Sequence, residues 1–362
     1  MAQQHPLGYM KRLFCTCVFL SALILTLITG LLAVPTAVHA DEPQQCDRYV
    51  LPVTLSPLQV ITYHVTGWLC YQGSLSQHHA VQLLVHGGTY GHSYWDFTYQ
   101  PDMYSYVQYM TKAGYATFNF DRIGVGESDH PSAALVTIQV DAYVLSQLVS
   151  DLKTGAYGGP AFQKVLLVGH SVGSAISIAE AANPKFAHVD GVILSGFLHF
   201  VDPVEVVRLA NDIYPANLDP DPRFKDLPPG YFTTKPNTRG QIFYDLPNAD
   251  SQVIATDEQT KETITDDEFT TFFSIANSPL SRNIQVPVLE VVGQDDALFC
   301  LGTFSCTNRD TVQRYESTYY APQAQLQLLV IPQAGHDLNL QKTASTGWYP
   351  QALTWIQAHI YQ

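Results

Sequence analysis

The sequence predicts an α/β protein built on a mostly parallel sheet. Three observations carry this expectation. Short apolar, partly β-branched runs recur along the chain, such as Val81–Val85, Val165–Val168 and Val286–Val292. Most of them are separated by segments with helical spacing. The alternation breaks once, from about residue 201 to 285, and then resumes. Strands buried on both faces read as continuous apolar runs, and strand–helix–strand repeats close by right-handed crossovers. A composition of 46% hydrophobic and 12% aromatic residues supports a folded core and argues against disorder.

The elements follow in order. Residues 49–54 and 58–71 read as antiparallel strands, the second containing the β-forming run Gln59–Thr66. Val81–Val85 is a short buried strand ending in His86-Gly87-Gly88. A helix is expected from Met103 to Ala113, stopped by Gly114. Ala116–Phe120 is the next strand and ends in Asp121-Arg-Ile-Gly-Val-Gly-Glu-Ser128. A helix over about 139–154 precedes the strand Val165–Val168, whose helix runs to about Ala182; Val189–Ser195 is another strand. The stretch 201–285 is rich in proline and loop residues, with helical patches at Pro203–Asn211 and Asp266–Asn277. Then come the strand Val286–Val292, a helix near 308–319, the strand Gln325–Ile331 and a last amphipathic helix from about Thr346 to Tyr361. The expected organisation is a leader at 1–40, a core over 41–200 and 286–362, and a helical cap inserted at 201–285.

The leader has a basic start ending at Lys11-Arg12, an uncharged apolar run from Leu13 to Val34, and small residues at Val38-His39-Ala40. It reads as a signal peptide cleaved before Asp41, and hence as a secreted protein; the run is also long enough to stay as a membrane anchor. Four cysteines remain beyond it, and the favoured pairing is Cys46–Cys70 and Cys300–Cys306. No Cys-x-x-Cys or His-x-x-x-His spacing occurs, so no metal or cofactor is expected. The net charge of −14 argues against nucleic acid as a partner.

One motif carries the chemistry. Gly169-His-Ser-Val-Gly173 joins a buried strand to a helix through a turn that leaves no room for side chains at the glycines. It would hold Ser171 outward at a helix N-terminus, where free N–H groups favour negative charge. A serine needs a base, and a base needs an orienting group. His336, in Ala-Gly-His after the last strand, is the candidate base. Asp296 is the favoured orienting acid, with Asp295 the alternative; Asp337 reads as a helix or loop cap. The oxyanion donors would be the backbone N–H of Val172 and that of Gly88 or Thr89. The glycines of 121–128 lack phosphate-loop spacing and read as a structured turn beneath the site.

These motifs together resemble the α/β-hydrolase superfamily, in its branch with a cap after the sixth strand. The resemblance covers roughly residues 75–360 and rests on His86-Gly87-Gly88, Asp121–Ser128, Gly169–Gly173, Gly293-Gln-Asp-Asp296 and Gly335-His336. It implies an eight-stranded, mostly parallel sheet and a Ser171–His336–Asp296 triad. Ser174 stands where many relatives carry glycine. The function expected is ester hydrolysis through an acyl-enzyme, on a small or lipid-like ester. The same triad could cleave an amide or peptide, and the fold could instead serve as a ligand-binding module. Tyr90, Tyr94, Trp95 and Phe97, with Tyr214, Tyr231, Phe232, Phe243 and Tyr244, are candidates to line the substrate pocket.

Overall fold

A computed structural model describes residues 43–301 and 304–360. The proposed leader lies outside the described residues. Strands β1 (Gln45–Val53) and β2 (Tyr63–Tyr71) pair antiparallel at one edge, with Cys46 opposite Cys70. β3 (Ala80–Val85), helices α1 (Pro101–Tyr104) and α2 (Tyr106–Lys112), β4 (Ala116–Phe120) and α3 (Ile138–Thr154) follow. Then come β5 (Lys164–His170), α4 (Val172–Ala181) and β6 (Gly191–Ser195).

The stretch 201–285 holds α5 (Pro203–Asp212), β7 (Ile213–Pro215), β8 (Tyr231–Thr234), α6 (Arg239–Phe243), α7 (Ser251–Gln259), β9 (Ile264–Thr265) and α8 (Asp266–Ala276). The chain returns through β10 (Val288–Gly293), α9 (Arg309–Glu316), β11 (Gln327–Ile331) and α10 (Tyr349–His359). The main sheet has the order β1-β2-β4-β3-β5-β6-β10-β11. β2 runs antiparallel to both neighbours, and every other pairing is parallel. β3, β4, β5, β6 and β10 are buried along their lengths apart from Lys164, which is why their sequences are nearly unbroken apolar runs.

The departures from sequence expectation have local causes. Residues 58–62 are not strand: β1 ends at Val53 opposite Tyr63, so no neighbour remains to pair with them, and Leu58 and Val60 are each 94% exposed. Strand propensity without a partner strand forms no ladder. The expected helix at 103–113 is two helices, broken at an extended Ser105 whose Oγ accepts from Gln108 N–H and caps the second. The loop-rich stretch contains a three-stranded antiparallel sheet, β7-β8-β9. Its strands are only two to four residues long, too short for a period of two to register in sequence.

Both expected disulfides, Cys46–Cys70 and Cys300–Cys306, are present. Among the described residues no helix is long and apolar enough to cross a membrane.

Candidate active site

The turn after β5 is built by exclusion. A Cβ on Gly173 would lie 2.1 Å from the Val85 carbonyl oxygen, and one on Gly169 would lie 2.6 Å from the Gly173 oxygen. Backbone cannot yield at such distances, so both positions require glycine. Ser171 between them sits at φ 53°, ψ −115°, a conformation costly for any residue with a side chain. Its N–H donates to Ser195 O at 2.8 Å, which ties the turn to the end of β6. Ser174 is accommodated in the turn, where its Oγ donates to the same carbonyl at 2.9 Å.

His336 lies in the loop after β11 and Asp296 in the loop after β10; both are buried. His336 Nδ1 meets Asp296 Oδ2 at 2.9 Å. Asp295 is half-buried, and its N–H donates to Ala334 O. Burial alone would lower the His336 pKa, but the charge and hydrogen bond of Asp296 outweigh it and hold the imidazole above its ordinary value. The His336 ring centre is 4.9 Å from that of His170, the residue preceding Ser171. Among the described residues no hydrogen bond joins Ser171 Oγ to His336, a separation common in unliganded catalytic pairs.

The N–H groups of Gly88 and Val172 donate to no acceptor among the described residues, and both residues border the same cavity as Ser171. The Thr89 N–H is consumed by Thr263 O at 3.2 Å, and Thr89 O accepts from Glu262 N–H at 2.9 Å. Of the two residues the sequence leaves open, only Gly88 therefore has a free donor. His86 supports this loop from below. Its Nε2 accepts from Arg122 N–H at 3.0 Å, and burial first, then Arg122, lowers its pKa to about 3, so the ring is neutral. The turn 121–128 is structured as expected: Asp121 accepts from the N–H groups of His92 and Glu127, and Arg122 pairs with Asp141 and Glu268.

The cavity beside Ser171 is partly open to solvent and lined almost wholly by apolar side chains. Its walls correct the aromatic expectation. Tyr90, Tyr94, Trp95 and Phe97 are packed in the core, and of the nine aromatics singled out only Phe243 borders the cavity. Phe269, Phe272 and Phe273 of α8, Phe299, and Val206 and Leu209 of α5 do that work instead. Phe243 and Phe299 also pack on the His336 ring, at 5.7 and 5.8 Å between centres. The α8 residues follow helical spacing and could have been read as a stripe, but nothing in sequence says that the stripe faces Ser171.

The sequence reading also missed a buried charged network behind the loop of Gly88 and Thr89. Arg239 is paired bidentately with Asp257 at 2.9 Å for both contacts, and its Nη1 donates to Thr89 O and Oγ1 at 3.3 and 3.2 Å. The guanidinium lies 4.1 Å from the centre of the Tyr90 ring. This clamp holds Thr89 in its left-handed conformation, φ 61°. Asp337 is not a cap: it is fully buried and accepts from the Tyr90 hydroxyl. Elsewhere His199, Glu290 and Glu316 bring ligand-type atoms within 4.8 Å of one another. Of these side chains, His199 Nδ1 is bonded to Glu316 at 2.6 Å and Glu290 Oε1 accepts from the Tyr320 hydroxyl at 2.6 Å.

An eight-stranded sheet of this order, with a serine turn after the fifth strand and an Asp–His pair beyond the last two, defines an α/β-hydrolase fold. The alpha/beta hydrolase family model matches residues 82–344, and the chain belongs to that family. It is a hydrolase of this superfamily. No curated protein sequence matches it significantly. Among solved structures it is similar to the methylesterase MES16 from Arabidopsis (17% identity, 77% of this chain and 99% of that one, TM-score 0.52). It is also similar to the carboxylesterase CesB from Bacillus subtilis (16% identity, 87% and 93%, TM-score 0.55). A third is a monoacylglycerol lipase from Paleococcus ferrophilus (17% identity, 77% and 94%, TM-score 0.51). At such identities the likeness is one of fold.

Proposed function

We propose that this protein is a secreted serine hydrolase that cleaves carboxylic esters with an apolar acyl or alcohol group. The observation that carries the reading is the strained Ser171 at the floor of an apolar cavity, flanked by two unspent N–H groups, those of Gly88 and Val172. Free donors in an apolar pocket are costly unless something anionic comes to them, and the tetrahedral oxyanion of acyl transfer does.

In this mechanism Ser171 Oγ attacks the ester carbonyl while His336 takes its proton, and Asp296 orients and stabilises the resulting imidazolium. Gly88 and Val172 hold the oxyanion, each worth roughly 3 kcal/mol of barrier. His336 returns the proton to the departing alcohol, and water then repeats the sequence on the acyl-enzyme. Residues 201–285 act as the cap, since α5, α6 and α8 supply much of the cavity wall. Two disulfides suit an oxidising compartment, consistent with the exported reading of the leader. The test is turnover of p-nitrophenyl esters of increasing acyl length by the wild type and Ser171→Ala. The reading expects Ser171→Ala to lose at least about 10⁴-fold in turnover; wild-type rates in that variant contradict it.

A further inference from the structure

The residues next to the proposed nucleophile and base face each other. His170 Nε2 lies 3.4 Å from Asp337 Oδ1; both are fully buried, and neither atom has a hydrogen-bond partner. The other atoms of the two side chains fix where hydrogens can be. The Ser195 hydroxyl donates its one proton to Gly169 O at 3.0 Å. With that proton on Gly169 O, the hydroxyl accepts from His170 Nδ1, 3.2 Å away, and the tautomer assigned to the ring is the one with its hydrogen on Nδ1. In a neutral ring Nε2 is then a bare lone pair. An ionised Asp337 would set a second lone pair against it, in a site where neither could reach water. One proton between them removes the conflict and satisfies both atoms.

We propose that Asp337 and His170 share a single proton, and that this neutral bridge fixes the nucleophile turn to the base loop, making Asp337 a positioning residue of the site. The surroundings agree. Asp337 Oδ2 accepts from Tyr90 OH, and Arg239 is already matched by Asp257 in a bidentate pair. Asp257 also accepts from Tyr244 OH at 2.9 Å, and the remaining neighbours of the pair are the stacked ring of Tyr94, 4.2 Å from His170, and His336. Burial, reinforced by Asp257, pushes the Asp337 carboxyl up to about 8, against the opposing effects of His336, Arg239 and Tyr90. Burial, with His336 and His86 adding to it, pushes His170 the other way, well below its ordinary value. The residue pair thus keeps one proton, and no net charge, beside the base at neutral pH.

The positioning role rests on the serine-hydrolase reading, but the shared proton does not, and its test needs no substrate. A carboxyl protonated in the folded state and ionised in the unfolded one costs stability as pH rises from its unfolded value near 4 to its folded value near 8. Asp337→Asn keeps the hydrogen-bonding shape and lacks that slope. The unfolding temperature of Asp337→Asn relative to the full-length wild type is therefore expected to climb steadily from pH 5 to pH 8. A difference independent of pH would mean an ionised Asp337 and would overturn the proposal. Should the variant not fold, nitrogen NMR of histidine-labelled wild type gives the same answer. The signal assigned through His170→Gln is expected to report a hydrogen-bonded Nε2, and a free, unbonded Nε2 would overturn the proposal. For the positioning role, Asp337→Leu should lose at least about thirtyfold in kcat with little change in KM, and Asp337→Asn should recover most of it. Equal loss in both variants would refute that role.

Discussion

At the scale of single residues, the structure separates neighbours that sequence treats as equivalent. Asp295 and Asp296 follow the same strand, yet it is Asp296 whose carboxylate meets His336. Asp296→Asn is expected to cut ester turnover by about 10³–10⁴-fold, since the amide favours the wrong imidazole tautomer. Asp295→Asn should stay within about threefold, and parallel kcat measurements on the two variants check this. As the proposed base, His336 also sets a pH dependence. His336 must be neutral to accept a proton, and Asp296 holds its pKa above the ordinary 6.5. Turnover should therefore rise with pH through a midpoint above 6.5, which a kcat/KM profile measures. The sequence made Ser171, His336 and the pair of acids legible because each follows an apolar run at a strand end. It could not reveal that Thr89 spends its N–H on Thr263, a residue 174 positions away whose place is set only by folding.

At the scale of elements, the site is a junction between sheet and insertion. The core strands were readable because burial on both faces forces apolar runs, whereas the insertion is held by scattered polar contacts that leave no period. Arg239 and Asp257 are 18 residues apart on different short helices and both buried, a pairing that no local pattern announces. Arg239→Met should cost about 3–5 kcal/mol of stability, because it strands the Asp257 carboxylate without a partner. Urea unfolding checks this, and replacing both residues with apolar ones should restore much of the loss. The cavity wall belongs to this scale as well. Leu209 of α5 faces the cavity. Leu209→Trp is expected to lower kcat/KM for long-chain esters by about tenfold or more while sparing acetate esters, as a filled apolar subsite discriminates by roughly 1–3 kcal/mol per methylene.

At the scale of the whole molecule, the order of the sheet explains why residues 171, 296 and 336 lie at the same end of it. Their strands β5, β10 and β11 are parallel, so their carboxyl ends open on one edge, where α/β sheets gather ligands. The insertion leaves that same edge, after β6, and returns as the roof of the cavity. The Cys46–Cys70 bridge closes the outer hairpin far along the sheet from these ends. Its removal by paired serine substitution should cost about 3 kcal/mol of stability, read by thermal unfolding, and leave kcat unaltered. The central claim concerns one oxygen atom, and fluorophosphonate labelling followed by peptide mass mapping addresses it most directly. A single adduct on the peptide containing Ser171, formed in step with loss of ester turnover, is the predicted result. An unlabelled Ser171 in fully inactivated protein, or full labelling with turnover intact, would contradict it.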